Sequence, residues 1–434
     1  MELMNAKGTQ DINPEEKILK NEIIAKLNVL FELYGYSPLE TPILERLDVL
    51  TAKFAAGDES DAAKEIFKLK DQGDRELGLR FDLTVPLARF VAMNPMLKMP
   101  FKRYQIGQTF RDGPIKLGRW REFWQCDVDV VGCKAMTADA EVILLALDFF
   151  ERMDFDAYIE VNNRKLLTGI LEDCGIDEAD AESVIISIDK LNKLGQEGVS
   201  KELFDKKIDK DVQKKLFTFF EGEKKDTKAL ISDLRKKLKS PVGIQGLDEI
   251  EELFGYIEKS RLKDIELNIS FARGLSYYTG TVFEGFLRES KVTSSICGGG
   301  RYDRMIGMYT GGKRDYPAVG ISFGLVPITE ALKADKKSSS SKSVTKLFII
   351  PIKTVKECFE IAKIMRANGI KTEVDLVGRG ISKNLSYANT LEIPYVLFVG
   401  QDELKEGKLK LRDMKKGEEF MISMEEVCSK LREE

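Results

Sequence analysis

The feature that most constrains the fold is a hairpin-like stretch at residues 102–132, in which two strand-forming arms flank a loop rich in Gly and Arg. Its second arm alternates polar with apolar side chains, and this alternation predicts a strand with one polar and one buried face. Gln125, Asp127 and Asp129 fall on the polar face, and Arg111 enters the loop beside it. Amide and carboxylate groups beside an arginine could hold a small zwitterion and a phosphate. A hairpin with an ordinary polar outer face accounts for the same residues.

Length and composition exclude several classes of protein. A chain of 434 residues predicts two or three domains, and 68 basic against 72 acidic residues leave the charge nearly balanced. A nucleic acid partner would therefore meet local basic patches. No stretch reaches the apolar length needed to cross a bilayer, and the N-terminus has no apolar signal core. Six widely spaced cysteines without a CxxC pair predict reduced thiols in a cytoplasmic protein, and they argue against zinc and disulfides.

The chain contains no histidine. This absence excludes a Ser-His-Asp triad, a histidine general base and every histidine-ligated metal site. Chemistry in this protein must therefore rely on Arg, Asp, Glu, Tyr, Lys, backbone amides or groups of the substrate itself.

The first 90 residues predict a helix followed by short strands. The helix begins after Asn13, which suits a cap, and a proline suits the first helical position. The strand predicted at 36–45 is broken by two prolines, and this unit is either ordinary packing or a dimer seam. Asp82 and Thr84 then follow a short strand. They project the same way from an extended chain and suit an ammonium group, and they suit a helix cap as well.

Residues 165–256 lose their strand signals and predict a helical insertion. Within it, residues 201–239 carry thirteen basic and eight acidic side chains, which suits either a solvated helix face or a surface that meets a phosphate backbone. Strands return at 267–271 and again around 298–300, where three glycines leave a bare backbone against which a flat ligand can lie. The glycine triplet is equally consistent with a bulge.

A polar, Ser/Lys-rich stretch at 334–344 is the clearest domain boundary. Beyond it, alternating strands and helices over 345–434 predict a small α/β domain with a largely parallel core. The predicted organisation is therefore a core in two parts, 1–164 and 257–333, with the helical insertion between them and the linker and C-terminal domain after them.

Together these residues resemble the class II aminoacyl-tRNA synthetases, and among them the histidyl-tRNA synthetases, over almost the whole chain. The first helix and the residues 36–45 after it (YSPLETPILE) resemble the first of the three class II motifs, which is a dimer-interface element. The hairpin resembles the second, with FRD at 110–112 and GRWREFWQCDVDVVG at 118–132. RGLSYYTGTVFEG at 273–285 and CGGGRYD at 297–303 resemble the two signatures of the histidine enzymes. The resemblance implies an α+β fold: an antiparallel sheet flanked by helices, with a helical insertion and a C-terminal α/β anticodon-binding domain.

The resemblance also implies a site, residue by residue. The α-ammonium of histidine would be held by Asp82, Thr84 and Gln125. The imidazole would be faced by Asp129 and Tyr278, with Tyr277 in the adjoining wall. The α-phosphate would be contacted from two sides by the catalytic groups Arg111 and Arg273. The adenosine of ATP would lie near Gly298, Gly299, Gly300 and Arg301. No His or Cys side chain is expected to ligate a metal, and Mg²⁺ is expected through the phosphates of ATP.

The resemblance implies a cytoplasmic homodimer without a membrane partner. It also implies a two-step reaction. Histidine would react with ATP to give histidyl-adenylate and pyrophosphate, and would then pass to the 3′ end of the tRNA specific for histidine. Two alternatives stay open on the sequence: a synthetase-like regulatory subunit of ATP phosphoribosyltransferase, and a non-catalytic tRNA-binding protein. The first typically lacks the anticodon domain and loses the histidine signatures, whereas this chain has both.

Three positions depart from the family pattern. Ser276 stands where an Asp is usual, and Trp124 replaces a His or Tyr. Residues 323–327 lack the Glu-Arg pair that ends the third class motif, whose arginine helps to hold ATP. Four arginines could substitute for it, and the sequence does not choose among them: Arg119, Arg301, Arg304 and Arg314.

Overall fold

The computed structural model describes residues 2–52, 64–115, 120–220, 227–272, 277–312, 315–334 and 341–433. Backbone contacts group the chain into two compact units, residues 1–10 with 24–334 and residues 11–23 with 335–434. The domain limits derived from the sequence remain predictions, and most of the predicted linker lies outside the described residues.

The strands of the first unit form a large sheet and a small one. They are β1 (Ser37–Pro38), β2 (Leu44–Arg46), β3 (Lys68–Lys70), β4 (Glu76–Leu79), β5 (Phe101–Phe110), β6 (Glu122–Val131), β7 (Ala157–Asn163), β8 (Ile265–Leu267), β9 (Thr281–Leu287), β10 (Cys297–Arg301) and β11 (Ala318–Gly324). The eight-stranded sheet has the order β1-β5-β6-β11-β10-β9-β7-β8. Its inner pairs are antiparallel, while β1–β5 and β7–β8 are parallel. The order β2-β4-β3 makes the small sheet.

The helices within residues 1–334 are α1 (Pro14–Leu33), α2 (Leu47–Thr51), α3 (Thr84–Met93), α4 (Met136–Arg152), α5 (Arg164–Cys174), α6 (Glu178–Ile188), α7 (Leu191–Asp205), α8 (Lys210–Phe220), α9 (Thr227–Lys237), α10 (Pro241–Gly255), α11 (Met305–Tyr309) and α12 (Leu325–Ala334). Asn13 caps α1 as predicted, because its side-chain oxygen accepts a hydrogen bond from the backbone N–H of Glu16 at 2.9 Å. Helices α5 to α10 fill the stretch predicted to be helical and share one apolar cluster, which includes Leu166, Leu203, Leu216, Leu234 and Leu247.

Two predicted strands are shorter in the structure, each for a local reason. The stretch 36–45 forms strand only near its two ends, as β1 and β2. Pro38 and Pro42 lack the backbone N–H that donates hydrogen bonds between strands. The strand predicted at 267–271 ends at Leu267. There the side chain of Asn268 accepts hydrogen bonds from the backbone N–H groups of Ser270 and Phe271, which turns the chain.

One face of the eight-stranded sheet is covered by apolar packing. Cys126, Val128 and Val130 point into this layer and are buried. Helix α4 packs there, with the rings of Phe149 and Phe323 4.9 Å apart. The alternation of β6 therefore sends the polar side chains between them to the opposite face.

The second unit contains a five-stranded sheet, of order β13-β12-β14-β15-β16. Its elements are β12 (Leu347–Pro351), α13 (Val355–Ala367), β13 (Thr372–Val374), α14 (Ile381–Thr390), β14 (Tyr395–Val399), α15 (Gln401–Glu406), β15 (Leu409–Asp413), β16 (Glu419–Ile422) and α16 (Met424–Glu433). Strands β13, β12 and β14 are parallel, and β15 and β16 continue the sheet in antiparallel fashion. Alternate residues of β12 enter separate apolar clusters on the two sheet faces, so this strand is buried on both sides.

The α+β fold class predicted from the sequence is confirmed. The larger sheet is mixed, and it is antiparallel through its centre. No helix among the described residues is long and apolar enough to cross a membrane. All six cysteines are free.

Candidate active site

A cavity of about 610 Å³ lies over the polar face of the eight-stranded sheet. Its floor is formed by β6, β11 and β10, and its walls come from the start of α3, from Tyr277 and Tyr278 and from the end of β5. A cavity of this size suits a small-molecule ligand. Of the predicted site residues in the described part of the chain, those that line it are Asp82, Thr84, Arg111, Gln125, Asp129, Tyr277, Tyr278, Gly298, Gly299 and Gly300.

Strand register explains why polar side chains and glycines alternate across the floor. Asp129 pairs with Gly320 of β11, and Gly320 pairs with Gly300 of β10. A Cβ atom on Gly320 would lie 2.0 Å from Oδ1 of Asp129, and one on Gly300 would lie 3.0 Å from the Tyr278 ring. The glycines therefore give room to the side chains that lie over them.

Asp129 is a buried carboxylate with two fixed partners. Its Oδ2 lies 2.7 Å from a guanidinium nitrogen of Arg103, and its Oδ1 accepts a hydrogen bond from the hydroxyl of Tyr302. Arg103 is itself fully buried and donates to the carbonyl of Leu83 at 3.1 Å. Burial raises the pKa of Asp129, while Arg103 and the Tyr302 hydrogen bond act in the opposite direction. These contacts orient the carboxylate within the floor.

Asp127 lies two residues before Asp129 on the same face and is also buried. Burial raises its pKa to about 7, Arg103 opposes that shift and Asp129 adds to it. The side-chain amide of Gln125 donates to the hydroxyl of Ser322 at 3.2 Å, and the Ser322 hydroxyl also acts to lower the pKa of Asp127. Within the described part of the chain, neither Oδ1 of Asp127 nor Oε1 of Gln125 has a hydrogen-bond partner.

The start of α3 supplies a further carboxylate and a hydroxyl to the cavity. Oδ1 of Asp82 accepts a hydrogen bond from the backbone N–H of Val85 at 2.9 Å, and Thr84 is the first helical residue. Both side chains also line the cavity. The two interpretations of this motif, a helix cap and a ligand-facing pair, are therefore compatible for Asp82.

The two tyrosines form one buried pair. The hydroxyl of Tyr277 donates to that of Tyr278 at 3.1 Å, and their ring centroids are 4.3 Å apart. Burial raises the pKa of Tyr277 to about 12 and that of Tyr278 well above its ordinary value. Both phenols are therefore neutral at physiological pH and can donate hydrogen bonds.

Arg111 is held at the cavity by two contacts. Its Nε donates to the carbonyl of Phe81 at 3.1 Å, and its guanidinium carbon lies 5.0 Å from the centre of the Phe123 ring. The arginine thus brings a cation to the end of the floor at which β5 finishes.

The structure contradicts the prediction that Arg301 contacts ATP. Its guanidinium is buried against Asp139, with which it forms an ion pair, and it also donates to the carbonyls of Cys133 and Ala135. The side chain does not line the cavity, because it lies on the packed side of the sheet with α4. Of the four arginines considered for the ATP contact, Arg304 is exposed and outside the cavity lining.

Several predicted positions lie outside the described residues. They are Arg273, Ser276, Arg119 and Arg314. Arg273 remains a prediction from the sequence, as does any role of Arg119 or Arg314 towards ATP.

Sequence reasoning missed Arg103, Ser322 and Tyr302. The sequence could have placed Arg103 beside Asp129, since Arg103 lies on the same face of β5 as Gln105 and the hairpin register pairs it with Asp129. No local sequence pattern places Ser322 and Tyr302 at the site, because only the pairing of β11 with β6 and β10 brings their part of the chain to the floor.

A mixed sheet with an antiparallel centre, flanked by helices and carrying this cavity, defines a class II aminoacyl-tRNA synthetase fold. The model of the histidyl-tRNA synthetase family matches residues 8–328, and that of the anticodon binding domain matches residues 346–434. Among curated relatives, histidine–tRNA ligase 1 of Bacillus cereus is 44% identical over 424 residues, covering 97% of this chain and 98% of the relative. The chain belongs to the histidyl-tRNA synthetase family.

Solved structures agree with this assignment. A crystal structure of histidyl-tRNA synthetase from Nostoc sp. PCC 7120 superposes with a TM-score of 0.86 at 28% identity, covering 100% of this chain and 99% of the other. A Bacillus halodurans protein described as an ATP phosphoribosyltransferase regulatory subunit/histidyl-tRNA synthetase gives a TM-score of 0.75 at 24% identity, covering 92% of this chain and 99% of the other. The second likeness concerns the fold alone.

Proposed function

We propose that this protein is a histidine–tRNA ligase, which forms histidyl-adenylate from histidine and ATP and then transfers histidine to the 3′ end of its tRNA. The observation that carries the proposal is the cavity floor. Carboxylates and an amide stand on β6 beside the glycines of β10 and β11, with Arg111 at one end. The matches to both the catalytic family and the anticodon binding domain support it.

In this proposal each end of the amino acid meets its own set of residues. Asp82, Thr84 and Gln125 bind the α-ammonium. Asp129 and Tyr278 face the imidazole, with Tyr277 in the wall. An oriented carboxylate and a neutral phenol suit an imidazole, because its two ring nitrogens differ in hydrogen-bonding character. An amino acid without these two nitrogens would leave the buried carboxylate and phenol without partners.

Arg111 and Arg273 stabilise charge on the α-phosphate. The carboxylate of histidine is already ionised, so its attack on the α-phosphate in line with the departing pyrophosphate needs no protein base. Negative charge develops on the equatorial phosphate oxygens, where the two arginines stabilise it. Gly298, Gly299 and Gly300 form a flat surface beside the adenosine. A reaction of this kind is compatible with a chain that contains no histidine.

Mg²⁺ fits this site as a companion of ATP. The described residues contain no group of three or more His, Cys, Asp or Glu side chains that could hold a metal by themselves. Two carboxylates that line the cavity, Glu65 and Glu284, are of the ligand type that Mg²⁺ takes together with nucleotide phosphates. When bound, the ion would neutralise part of the phosphate charge.

Histidine-dependent exchange of pyrophosphate into ATP tests the first half-reaction. We expect exchange with histidine and none with the other standard amino acids, followed by attachment of labelled histidine to tRNA. No exchange with any amino acid would contradict the proposal. Absence of turnover, together with equal affinity for all tRNAs, would instead favour a non-catalytic tRNA-binding protein. The regulatory-subunit alternative is not favoured, because the chain matches both synthetase parts.

We further propose that the protein is a cytoplasmic homodimer. Apolar side chains are exposed on α1 and on the strand region after it, and they include Val29, Leu33, Ile43 and Leu44. Exposed apolar area of this kind suits a self-association surface. Light scattering should give twice the mass of the chain, and Leu33→Glu should shift the protein toward monomer. A monomeric wild type would contradict this part of the proposal.

A further inference from the structure

The cavity floor contains a carboxylate for which the proposed site has no role. Asp127 is only 4% exposed, it lines the cavity, and its Oδ1 has no hydrogen-bond partner among the described residues. Buried polar atoms in folded proteins nearly always have a partner, so an acceptor left open at a cavity indicates a donor that arrives with the ligand. The same holds for Oε1 of Gln125, which stands beside it on β6.

Ser322 fixes these two acceptors together. Its hydroxyl oxygen accepts from the amide nitrogen of Gln125, and the same hydroxyl acts on the carboxyl of Asp127 and lowers the pKa of that carboxyl. One of the two amide N–H groups of Gln125 is used in this bond, and its amide oxygen has no hydrogen-bond partner among the described residues. Two acceptor oxygens without partners among the described residues therefore lie at the cavity, which suits a ligand group rich in N–H donors.

The charges at the cavity floor indicate that the ligand group bound there is a cation. Asp127 and Asp129 are neighbouring buried carboxylates, and the buried cation Arg103 forms its ion pair with Asp129. One carboxylate therefore lacks a salt-bridge partner among the described residues. Titratable and charged groups that act electrostatically on Asp127, or on which it acts, are Arg103, Arg80, Asp129, Asp82, Tyr277 and Tyr302. Among them Asp82 belongs to the group assigned to the α-ammonium.

We propose that Asp127 is a specificity-determining residue that binds the α-ammonium of the amino acid through its open oxygen, together with Oε1 of Gln125, and that Ser322 positions both. This inference rests on the proposed function. An ammonium supplies three N–H donors and one positive charge, which matches the open acceptors and a carboxylate that has no salt bridge among the described residues. The imidazole remains with Asp129, whose carboxylate is oriented by Arg103 and Tyr302.

The test compares histidine with imidazole-lactic acid, which carries a hydroxyl in place of the α-ammonium. Asp127→Asn keeps the size of the side chain and removes its charge. We expect the KM for histidine in pyrophosphate exchange to rise roughly 10- to 100-fold, the effect of losing a charge-assisted hydrogen bond. The inhibition constant of imidazole-lactic acid should change less than about twofold, since it brings no cation. Ser322→Ala should raise the KM for histidine by a smaller factor with little change in kcat.

Val128→Ala is the matched control, because Val128 lies next to Asp127 on β6 but points into the apolar layer. It should lower stability and leave the KM for histidine unchanged. Equal losses for histidine and imidazole-lactic acid in Asp127→Asn would overturn the inference, as would an unchanged KM for histidine. If the wild type itself shows no histidine-dependent exchange, the proposed function fails, and that outcome is distinct from the previous two.

Discussion

Asp129 and Gly320 face each other across β6 and β11, and the carboxylate of Asp129 occupies the space that a side chain at position 320 would need. A Cβ there would lie 2.0 Å from Oδ1 of Asp129 and 2.8 Å from the carbonyl of Val128. The second atom is backbone, so the strand itself would have to move. The carboxylate of Asp129 can therefore lie in the floor only because residue 320 is a glycine.

Gly320→Ala should therefore abolish histidine activation while leaving most of the fold in place. Displacing a carboxylate that contacts the substrate should lower kcat/KM for histidine at least about 100-fold. The measurement is steady-state pyrophosphate exchange, with circular dichroism to confirm folding. Gly255→Ala is the matched control, since nothing lies within 4 Å of its Cβ position, and it should retain full activity. Near-normal kcat/KM in Gly320→Ala would show that Asp129 does not act where we place it.

Arg111 should contribute to turnover more than to binding. Replacing it by Ala should lower kcat for exchange about 100-fold, equivalent to about 3 kcal/mol of transition-state stabilisation. Arg111→Lys should recover little, because an ammonium cannot donate to Phe81 and stack on Phe123 while it also contacts a phosphate. Arg75→Ala provides a control in an exposed arginine paired with Asp71, and its kcat should match that of the wild type. A change confined to the KM for ATP would contradict the assigned role.

Asp127 should make the folded protein less stable as pH rises. Its folded pKa is raised to about 7, above the ordinary range of an aspartate, so the folded chain holds this proton more tightly than the unfolded chain does. The free energy of unfolding should consequently fall between about pH 4 and pH 7 and then level off. In Asp127→Asn this component should disappear, and the variant should melt a few degrees above the wild type at pH 8.

Urea unfolding of both proteins across this pH range measures the difference between them. Groups far from Asp127 are common to the two chains and their titrations cancel, so the difference reports Asp127 together with the carboxylate of Asp129 that is coupled to it. Parallel curves with a constant offset would indicate that Asp127 does not titrate in this window.

The ion pair between Arg301 and Asp139 should prove structural. Arg301→Met leaves a carboxylate buried without its partner, and we expect a loss of about 3–5 kcal/mol in the free energy of unfolding. The double variant Arg301→Met with Asp139→Leu should recover part of that loss, as measured by urea denaturation. At a temperature where Arg301→Met is folded, its KM for ATP should stay within about twofold of the wild type. A large rise in that KM would restore the role in ATP binding that the structure contradicts.

Local sequence patterns predicted much of the framework. The alternation at 125–131 gave the two faces of β6, and the cap at Asn13 gave the start of α1. Loss of strand signals marked the helices between 164 and 255. Each of these signals depends on contacts between residues near in sequence, which is why it can be read without knowing the rest of the chain.

The predicted strands at 36–45 and 267–271 were less successful, and both involve competition for backbone hydrogen bonds. Prolines remove donors from the first, and the side chain of Asn268 takes the donors that would continue the second. The arginine at 301 was misassigned because a motif places residues along the chain and does not say which sheet face each one reaches. Its neighbour Gly300 lines the cavity, and Arg301 points to the other side.

The sequence by itself determined the polar face of β6 and the residue types available for catalysis, which follow from local periodicity and composition, and it determined the fold class through the motifs that resemble a known family. Only the tertiary structure decided that β11 lies between β6 and β10, that Gly320 makes room for Asp129 and that Arg103 supplies its buried counter-charge. Pairing between strands that are about 190 residues apart depends on which long-range arrangement buries the most apolar surface and satisfies the most backbone groups. No local pattern encodes that choice, so the neighbours of each carboxylate became known only when the sheet was assembled.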